Sequence, residues 1–302
     1  MSWQEQPMIS AFAAAKINLC LHLNGRRPDG YHDLESLVIF ADIGDHLRVL
    51  PSRRQHDCLR MTGDFSAAID DPDHNLVTAT IAAFRQHYPQ AGPVAVDLQK
   101  NLPVAAGIGG GSSDAAACLR ALCQINGINL GAENITAIAR SLGADVPVCV
   151  TARPAVIRGT GAEIEPLANW PGFGLVLLNP GVKLSTAAVF AAHDGGSSGV
   201  LQNAQAIGNQ RQAVNFLKNT ANDLTPAAIK AAPVVQQALD LLGCQAQVLH
   251  HGMSGSGATC FGLFSDLAVA RAAAKQLQEA APDWWIRSAV SYPAKANPWS
   301  VD

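Results

Sequence analysis

Hydrophobic residues recur along this chain with two periods, and the period marks which segments extend and which coil. Ile17, Leu19, Leu21 and Leu23 alternate with Asn18, Cys20 and His22, so residues 9–23 are expected to form a strand with Lys16 and Asn18 on one face. A turn rich in Gly and Pro, Gly25 to Gly30, leads into Tyr31, His32 and Asp33. Residues 35–50 and 57–61 read as further strands, Asn75 opens a helix toward His87, and Val94 to Leu98 alternates as a strand. Ala115, Cys118, Leu119, Leu122 and Ile125 then repeat at helical spacing, with Gly127 as the C-terminal cap. A helix over 132–142 stops at Gly143, and apolar strands are expected through Val150 and over 155–158.

The pattern breaks between Arg158 and Glu163 and restarts after Asn169 to Gly172 with a buried strand at 175–178. That break divides the chain into two expected domains, 1–168 and 169–302. In the second, Asn179-Pro180-Gly181 precedes a helix to Phe190, and a Gly/Ser-rich loop at 195–199 is expected to be mobile. A short helix after Asn222-Asp223-Leu224, a helix over 234–242, a strand at 260–264, a helix over 267–280 and a strand near 286–290 complete it. Strands and helices interleave without a regular β-α-β repeat, which predicts the α+β class.

One stretch follows neither period. Pro103, Val104, Ala105, Ala106, Gly107, Ile108, Gly109, Gly110, Gly111, Ser112 and Ser113 cluster glycines where no core can form. Glycine loses more backbone entropy on ordering than any other residue, so the cluster needs a geometric reason, such as close approach of N–H groups to something bulky and negative. A helix follows at once, with Ser112 or Ser113 expected at its N-cap, so the loop reads as a phosphate cradle at a positive helix end. It lacks the lysine of a Walker loop, and Ser112 stands where dinucleotide and protein-kinase loops need a third Gly. The competing reading is a flexible turn without a ligand. A second cluster, Met253 to Thr259, reads either as close backbone approach to a ligand or as a bulge before a strand.

Composition narrows the partners. The chain is 48% hydrophobic and 15% charged with net charge -3 and no long basic run, which argues against nucleic acid or an anionic membrane as the main partner. Seven scattered cysteines with no C-x-x-C pair predict reduced, mostly buried thiols, not a disulfide or zinc framework. Glu5 and Lys16 make the N-terminus a poor signal peptide, and no apolar run approaches the ~20 residues of a membrane span. A soluble cytoplasmic protein, monomer or weak homodimer, is expected. The doublet His250-His251 invites a metal reading, but neighbours on a strand point to opposite faces, so both are expected to be structural or solvent-facing.

Both glycine clusters belong to an ordered set of motifs. Ala15-Lys16-Ile17-Asn18-Leu19, Asp29-Gly30-Tyr31-His32, Gly143-Ala144-Asp145-Val146-Pro147 and Asn179-Pro180-Gly181 accompany them. Together they resemble the GHMP kinase superfamily, and most closely its branch acting on a cytidyl-diphosphate sugar alcohol. The resemblance implies an N-terminal nucleotide domain of the ribosomal protein S5 type and a C-terminal domain with a ferredoxin-like core. It also implies transfer of the ATP γ-phosphoryl group to the 2-hydroxyl of a cytidyl-diphosphate-linked methylerythritol, in non-mevalonate isoprenoid synthesis.

On that resemblance the glycine loop, residues 103–113, wraps the ATP phosphates, and Asn75 and Lys100 flank the adenosine. Mg²⁺ accompanies ATP, although the sequence shows no acidic cluster dedicated to it; Asp114 suits a first helical turn but adds negative charge near the phosphates, and it is not assigned to metal. Asp145 is the expected general base, since an attacking alcohol needs somewhere to send its proton. The residues alone equally allow a capping Asp at a helix-to-strand turn. Lys16 is its expected cationic partner, against the alternative of an edge-strand lysine reaching water. Asn18, Tyr31, His32 and Phe190 are expected around the substrate, with Tyr31 and His32 against the cytosine ring and Phe190 on its opposite side. Two rivals stay open: another GHMP kinase, against which Tyr31-His32 weighs, and a silent nucleotide-binding regulator, against which the joint presence of Lys16 and Asp145 weighs.

Overall fold

A computed structural model describes residues 8–27, 32–52, 54, 56–69, 75–161 and 163–295. The first sheet is built from β1 (Ile9–Arg26), β2 (His32–Pro51), β3 (Cys58–Thr62), β4 (Val94–Gln99), β5 (Ala155–Gly159) and β6 (Glu163–Pro166). Its order is β3-β4-β2-β5-β6, with β1 antiparallel to β2. Four helices cover it: α1 (Leu76–His87), α2 (Gly110–Asn126), α3 (Glu133–Leu142) and α4 (Val146–Thr151). The parallel pair β3 and β4 needs a crossover, which α1 supplies, and the Asn75 side chain caps that helix by accepting from Val77 N–H at 2.8 Å.

The second sheet is antiparallel throughout, in the order β10-β7-β9-β8, from β7 (Gly174–Asn179), β8 (His250–Met253), β9 (Cys260–Phe264) and β10 (Trp285–Val290). Its helices are α5 (Thr186–Ala191), α6 (Gln210–Leu217), α7 (Thr225–Ala231), α8 (Val234–Gly243) and α9 (Leu267–Ala280).

Three apolar cores lie between these layers. On β2, Val38 and Phe40 face the first helices, while Leu37, Ile39 and Ala41 face a central core shared with the second sheet. On β7, Leu175 and Leu177 enter that central core, and Val176 and Leu178 face the second set of helices. The period-2 side-chain alternation therefore sorts residues between two cores, not between core and water. On β1 both faces are buried: Asn18, Cys20 and His22 are enclosed along with Ile17, Leu19 and Leu21, with Ile17, Leu19 and Cys20 in the central core and Leu21 in the core of the second helices. The polar face expected of that strand is an interior face.

Two expected elements change. The run Val146 to Val150 is helix α4, not strand, because Pro147 in its first turn pre-sets a helical φ, and so short an apolar run carries no readable period. The helix after the glycine loop begins earlier than expected: its N-cap is Gly109, in the left-handed region, and Ser112 and Ser113 lie inside its first turn. Helix α6 and the short strands β6 and β8 gave no clear period in the sequence. The Gly/Ser-rich loop at 195–199 is tied down: Ser197 Oγ donates to Asn24 Oδ1, Ser198 Oγ to Asp223 Oδ1, and Gly199 O lies 2.7 Å from His22 Nδ1.

Candidate active site

The site grows from the unpaired edge of β1. Among the described residues that strand forms a ladder only with β2, plus an isolated bridge from Leu21 to Asn222, so alternate N–H groups on its other edge must find partners elsewhere. Lys16 N–H donates to Ile108 O at 3.0 Å and Asn18 N–H to Ser254 Oγ at 3.0 Å, which draws both glycine clusters onto the strand. Register shifts flank the segment, between Ala14 and Lys16 and between Asn18 and Cys20. The second shift changes which residues face outward: beyond it Leu21 N–H donates to Ala221 O (2.9 Å) and Leu23 N–H to Asp223 Oδ2 (2.8 Å). One edge is thus sealed by three segments distant in sequence, around Ile108, Ala221 to Asp223 and Ser254.

The clusters also clasp each other. Ser254 Oγ donates to Gly107 O at 2.8 Å, and Thr259 N–H donates to Ala106 O at 3.2 Å. Glycine is required where they meet. Gly107 has φ +74, and a Cβ there would lie 2.3 Å from Ser254 O. A Cβ on Gly109, at φ +64, would lie 3.0 Å from Lys16 Cβ, so the loop rests on the lysine stem. Ser113 N–H to Gly109 O closes the first turn of α2, at 2.8 Å. The amides of Gly110, Gly111 and Ser112 precede that bond and are left for an anion at the helix's positive end. Ser113 itself faces inward, its Oγ donating to Ala14 O at 2.7 Å. Pro103, Ala106 and Ile108 are buried anchors, while Ala105 and Gly111 are exposed, with Ala105 in the left-handed region at φ +53.

Lys16 and Asp145 meet beside this loop, Nζ to Oδ1, at 2.7 Å. The lysine side chain is 4% exposed and the carboxylate 37%, so the cation is sequestered while its partner opens to solvent. Asp145 occupies the N-cap position of α4, yet its side chain makes no capping hydrogen bond. The geometry therefore favours the Lys16 partnership over the capping role.

Lys100 differs from expectation. It is buried, and its Nζ binds Asp45 Oδ2 and Asp114 Oδ2, the latter at 2.6 Å. Two of its three ammonium donors are taken by buried carboxylates and its side chain is 4% exposed, which closes it off from an adenosine, so the nucleotide-flanking role expected for Lys100 gives way to an internal one. Asp45 Oδ1 also accepts the N–H groups of Asn101 and Leu102, at 2.5 and 2.9 Å. The cluster therefore grips the entry of the glycine loop and, through Asp114, the helix that leaves it. Burial, partly offset by Lys100, pushes the Asp114 carboxyl well above the usual range. Asn75 is the cap of α1, with its amide 3.5 Å from Met61 Sδ.

Of the residues expected around the substrate, Tyr31 lies outside the described residues. Asn18 is buried; its Nδ2 donates to Ser36 Oγ at 2.7 Å, and its Oδ1 has no hydrogen-bond partner among the described residues. His32 and Phe190 are brought together, with ring centroids 5.5 Å apart and planes tilted by 45°. A base between two rings needs about 7 Å, two contacts of about 3.5 Å each. The two rings form one continuous wall here, and the expected opposed placement of Phe190 is corrected accordingly.

Several residues at the site carried no chemical signal in the sequence: Asp45, Asn222, which donates to Met253 O and Gly255 O at 2.8 Å each, and Thr186, whose Oγ1 lies 2.9 Å from Ser256 Oγ. Asn179, from the Asn-Pro-Gly motif, donates to Thr259 Oγ1 at 2.9 Å. The histidine doublet lies on β8, with Asp240 near His251. His250 packs on Phe261, and burial lowers its pKa to about 4, while His251 is exposed. Among the described residues no group of three or more His, Cys, Asp or Glu could hold a metal ion, and no helix is long and apolar enough to cross a membrane. All seven cysteines are free.

Comparison with known proteins gives the following likenesses. The GHMP kinases N terminal domain family matches residues 75–153 and the GHMP kinases C terminal family residues 203–283. The chain is 42% identical over 277 residues to 4-diphosphocytidyl-2-C-methyl-D-erythritol kinase of Rhizobium etli (strain CIAT 652), covering 91% of this chain and 92% of the relative. It is 44% identical over 283 residues to the kinase of the same name from Parvibaculum lavamentivorans, covering 92% and 96%. Among solved structures, a 4-(cytidine 5'-diphospho)-2C-methyl-D-erythritol kinase aligns with TM-score 0.74 at 30% identity over 94% of this chain and 99% of the other. A homoserine kinase from Cytophaga hutchinsonii aligns with TM-score 0.72 at 15% identity over 98% of both chains, a likeness of fold alone.

Proposed function

Since this chain belongs to the GHMP kinases, and within them to the family of 4-diphosphocytidyl-2-C-methyl-D-erythritol kinases, it is an ATP-dependent small-molecule kinase, and we propose how its residues carry the reaction. The acceptor is the 2-hydroxyl of 4-diphosphocytidyl-2-C-methyl-D-erythritol, and the setting is the non-mevalonate route to isoprenoids. The observation that carries the chemistry is the Lys16–Asp145 pair at 2.7 Å, with its carboxylate open to solvent and its ammonium sequestered against the glycine loop.

The substrate hydroxyl donates its hydrogen bond to Asp145. As the oxygen forms its bond to the γ-phosphorus, the bond from that phosphorus to the bridging oxygen of ADP breaks, and the proton passes to the carboxylate. Lys16 offsets the negative charge on the incoming oxygen and the γ-phosphoryl group. The amides at the start of α2 hold the phosphates in line, so the loop contributes by positioning. Mg²⁺ would arrive on the phosphates of ATP: Asp45 and Asp114 are bound to Lys100, and no protein cage is assigned. The His32–Phe190 wall offers stacking to the cytosine.

Phosphoryl transfer from ATP, assayed against the cytidyl compound, mevalonate, homoserine and galactose, tests the assignment. Turnover on the cytidyl compound alone is expected. Turnover on another alcohol instead overturns the substrate. ATP binding without any turnover favours the silent-regulator alternative.

A further inference from the structure

The pair at 2.7 Å has an alignment problem. Asp145 sits at the start of a helix of six residues, and Lys16 sits on an edge strand, with no backbone ladder joining the two elements among the described residues. Something must fix one against the other. Arg120, on α2, reaches both: its Nη1 donates to Cys149 O at 2.9 Å and more weakly to Val150 O at 3.4 Å, while its Nη2 donates to Phe12 O at 2.7 Å. The Cys149 peptide is itself bonded to Asp145, since Cys149 N–H donates to Asp145 O at 3.2 Å. Phe12 lies four residues before Lys16 on β1. Arg120 belongs to the helix whose first turn ends the glycine loop and whose Ser113 bonds Ala14 O.

We propose that Arg120 is a positioning residue for phosphoryl transfer, its guanidinium clamping the carbonyl end of α4 to the Lys16 strand and so setting the Lys16–Asp145 geometry. The proposal rests on the kinase reading above. The chemistry suits arginine: a planar fork can address carbonyls on two elements at once, whereas a lysine ammonium is a single point of attachment. The carbonyls at the end of a helix have no intrahelical partners, and a cation there also complements the helix dipole. Burial pulls this guanidinium down to about 9, still above neutrality, so the cation persists.

Steady-state kinetics of Arg120→Met and Arg120→Lys, with unfolding measured in parallel, tests the proposal. Displacing a reacting group by about 1 Å costs on the order of 100-fold in rate. Arg120→Met is therefore expected to lower kcat about 10- to 100-fold while KM for ATP and for the alcohol stay within about 3-fold. Arg120→Lys, which keeps the charge but loses the fork, is expected to remain impaired in kcat, and it carries the test should the Met variant not fold. Two controls separate positioning from general loss of stability. Leu277→Ala, on the buried face of α9, is expected to destabilise the protein with kcat unchanged. In an Asp145→Asn background, Arg120→Lys is expected to cost little further rate, because both act through one group. A wild-type kcat in Arg120→Lys, a matching kcat loss in Leu277→Ala, or additive losses with Asp145→Asn would each overturn the proposal. A wild-type enzyme inactive on every alcohol would instead remove the kinase reading beneath it.

Discussion

Gly107 and Asp114 show how much single residues decide here. Gly107→Ala must place a Cβ 2.3 Å from Ser254 O at a backbone angle that alanine rarely adopts, so the two glycine clusters have to separate. The variant is expected to lose more than about 1 kcal/mol in chemical unfolding and to raise KM for ATP. Unchanged values would mean that the clasp does not shape the loop. Asp114 makes a pH prediction of unusual sign. Its folded carboxyl is raised, so above the ordinary carboxylate range the folded state holds a proton that the unfolded state has released. Its contribution to stability is therefore full at acid pH and is lost as pH rises toward the folded value. Asp114→Asn, neutral at all pH, should show a weaker decline in stability than wild type as pH rises above about 4. Parallel profiles would show that Asp114 is not the group responsible.

At the scale of elements, regular pieces were legible and junctions were not. The helices at 76–87, 133–142 and 267–280 fall close to where periodicity and capping residues put them, because Asn75 and Asp266 cap locally and each helix buries one face. The segment 146–150 was misread because a single turn of Val and Cys looks the same in a strand or a helix, and only Pro147 hinted at the answer. The candidate site was legible as residue types: Lys16, Asp145 and the loop are adjacent as expected. What no local pattern contains is the partner of a buried group. Lys100 could not be seen to face Asp45, which lies 55 residues away, nor could Asn222 be seen to support the second glycine cluster. That support is testable, since Asn222→Ala leaves the carbonyls of Met253 and Gly255 without their side-chain donor. A loss of about 1–3 kcal/mol is expected in denaturant unfolding, and wild-type stability would contradict the bracing role.

For the whole molecule, the central core matters most, because Leu37 and Ile39 of one sheet and Leu175, Phe261 and Leu263 of the other share it. Two halves that bury the same apolar layer should unfold together, giving one calorimetric transition with a van't Hoff ratio near 1. Phe261→Ala should lower that single transition by about 3–5 kcal/mol without splitting it. Two separated transitions would mean that the halves are energetically independent. The same layer lets the edge of β1 receive segments from both halves, so the pair at 2.7 Å is a product of the entire fold. The most direct test of the account is therefore the rate of phosphoryl transfer by Asp145→Asn, read beside its affinity for ATP. A kcat lower by about 10²–10⁴-fold with ATP affinity within about 3-fold is predicted, the loss of a general base from an otherwise intact site. Near-normal kcat in a folded variant would contradict the account and move the proton acceptor elsewhere.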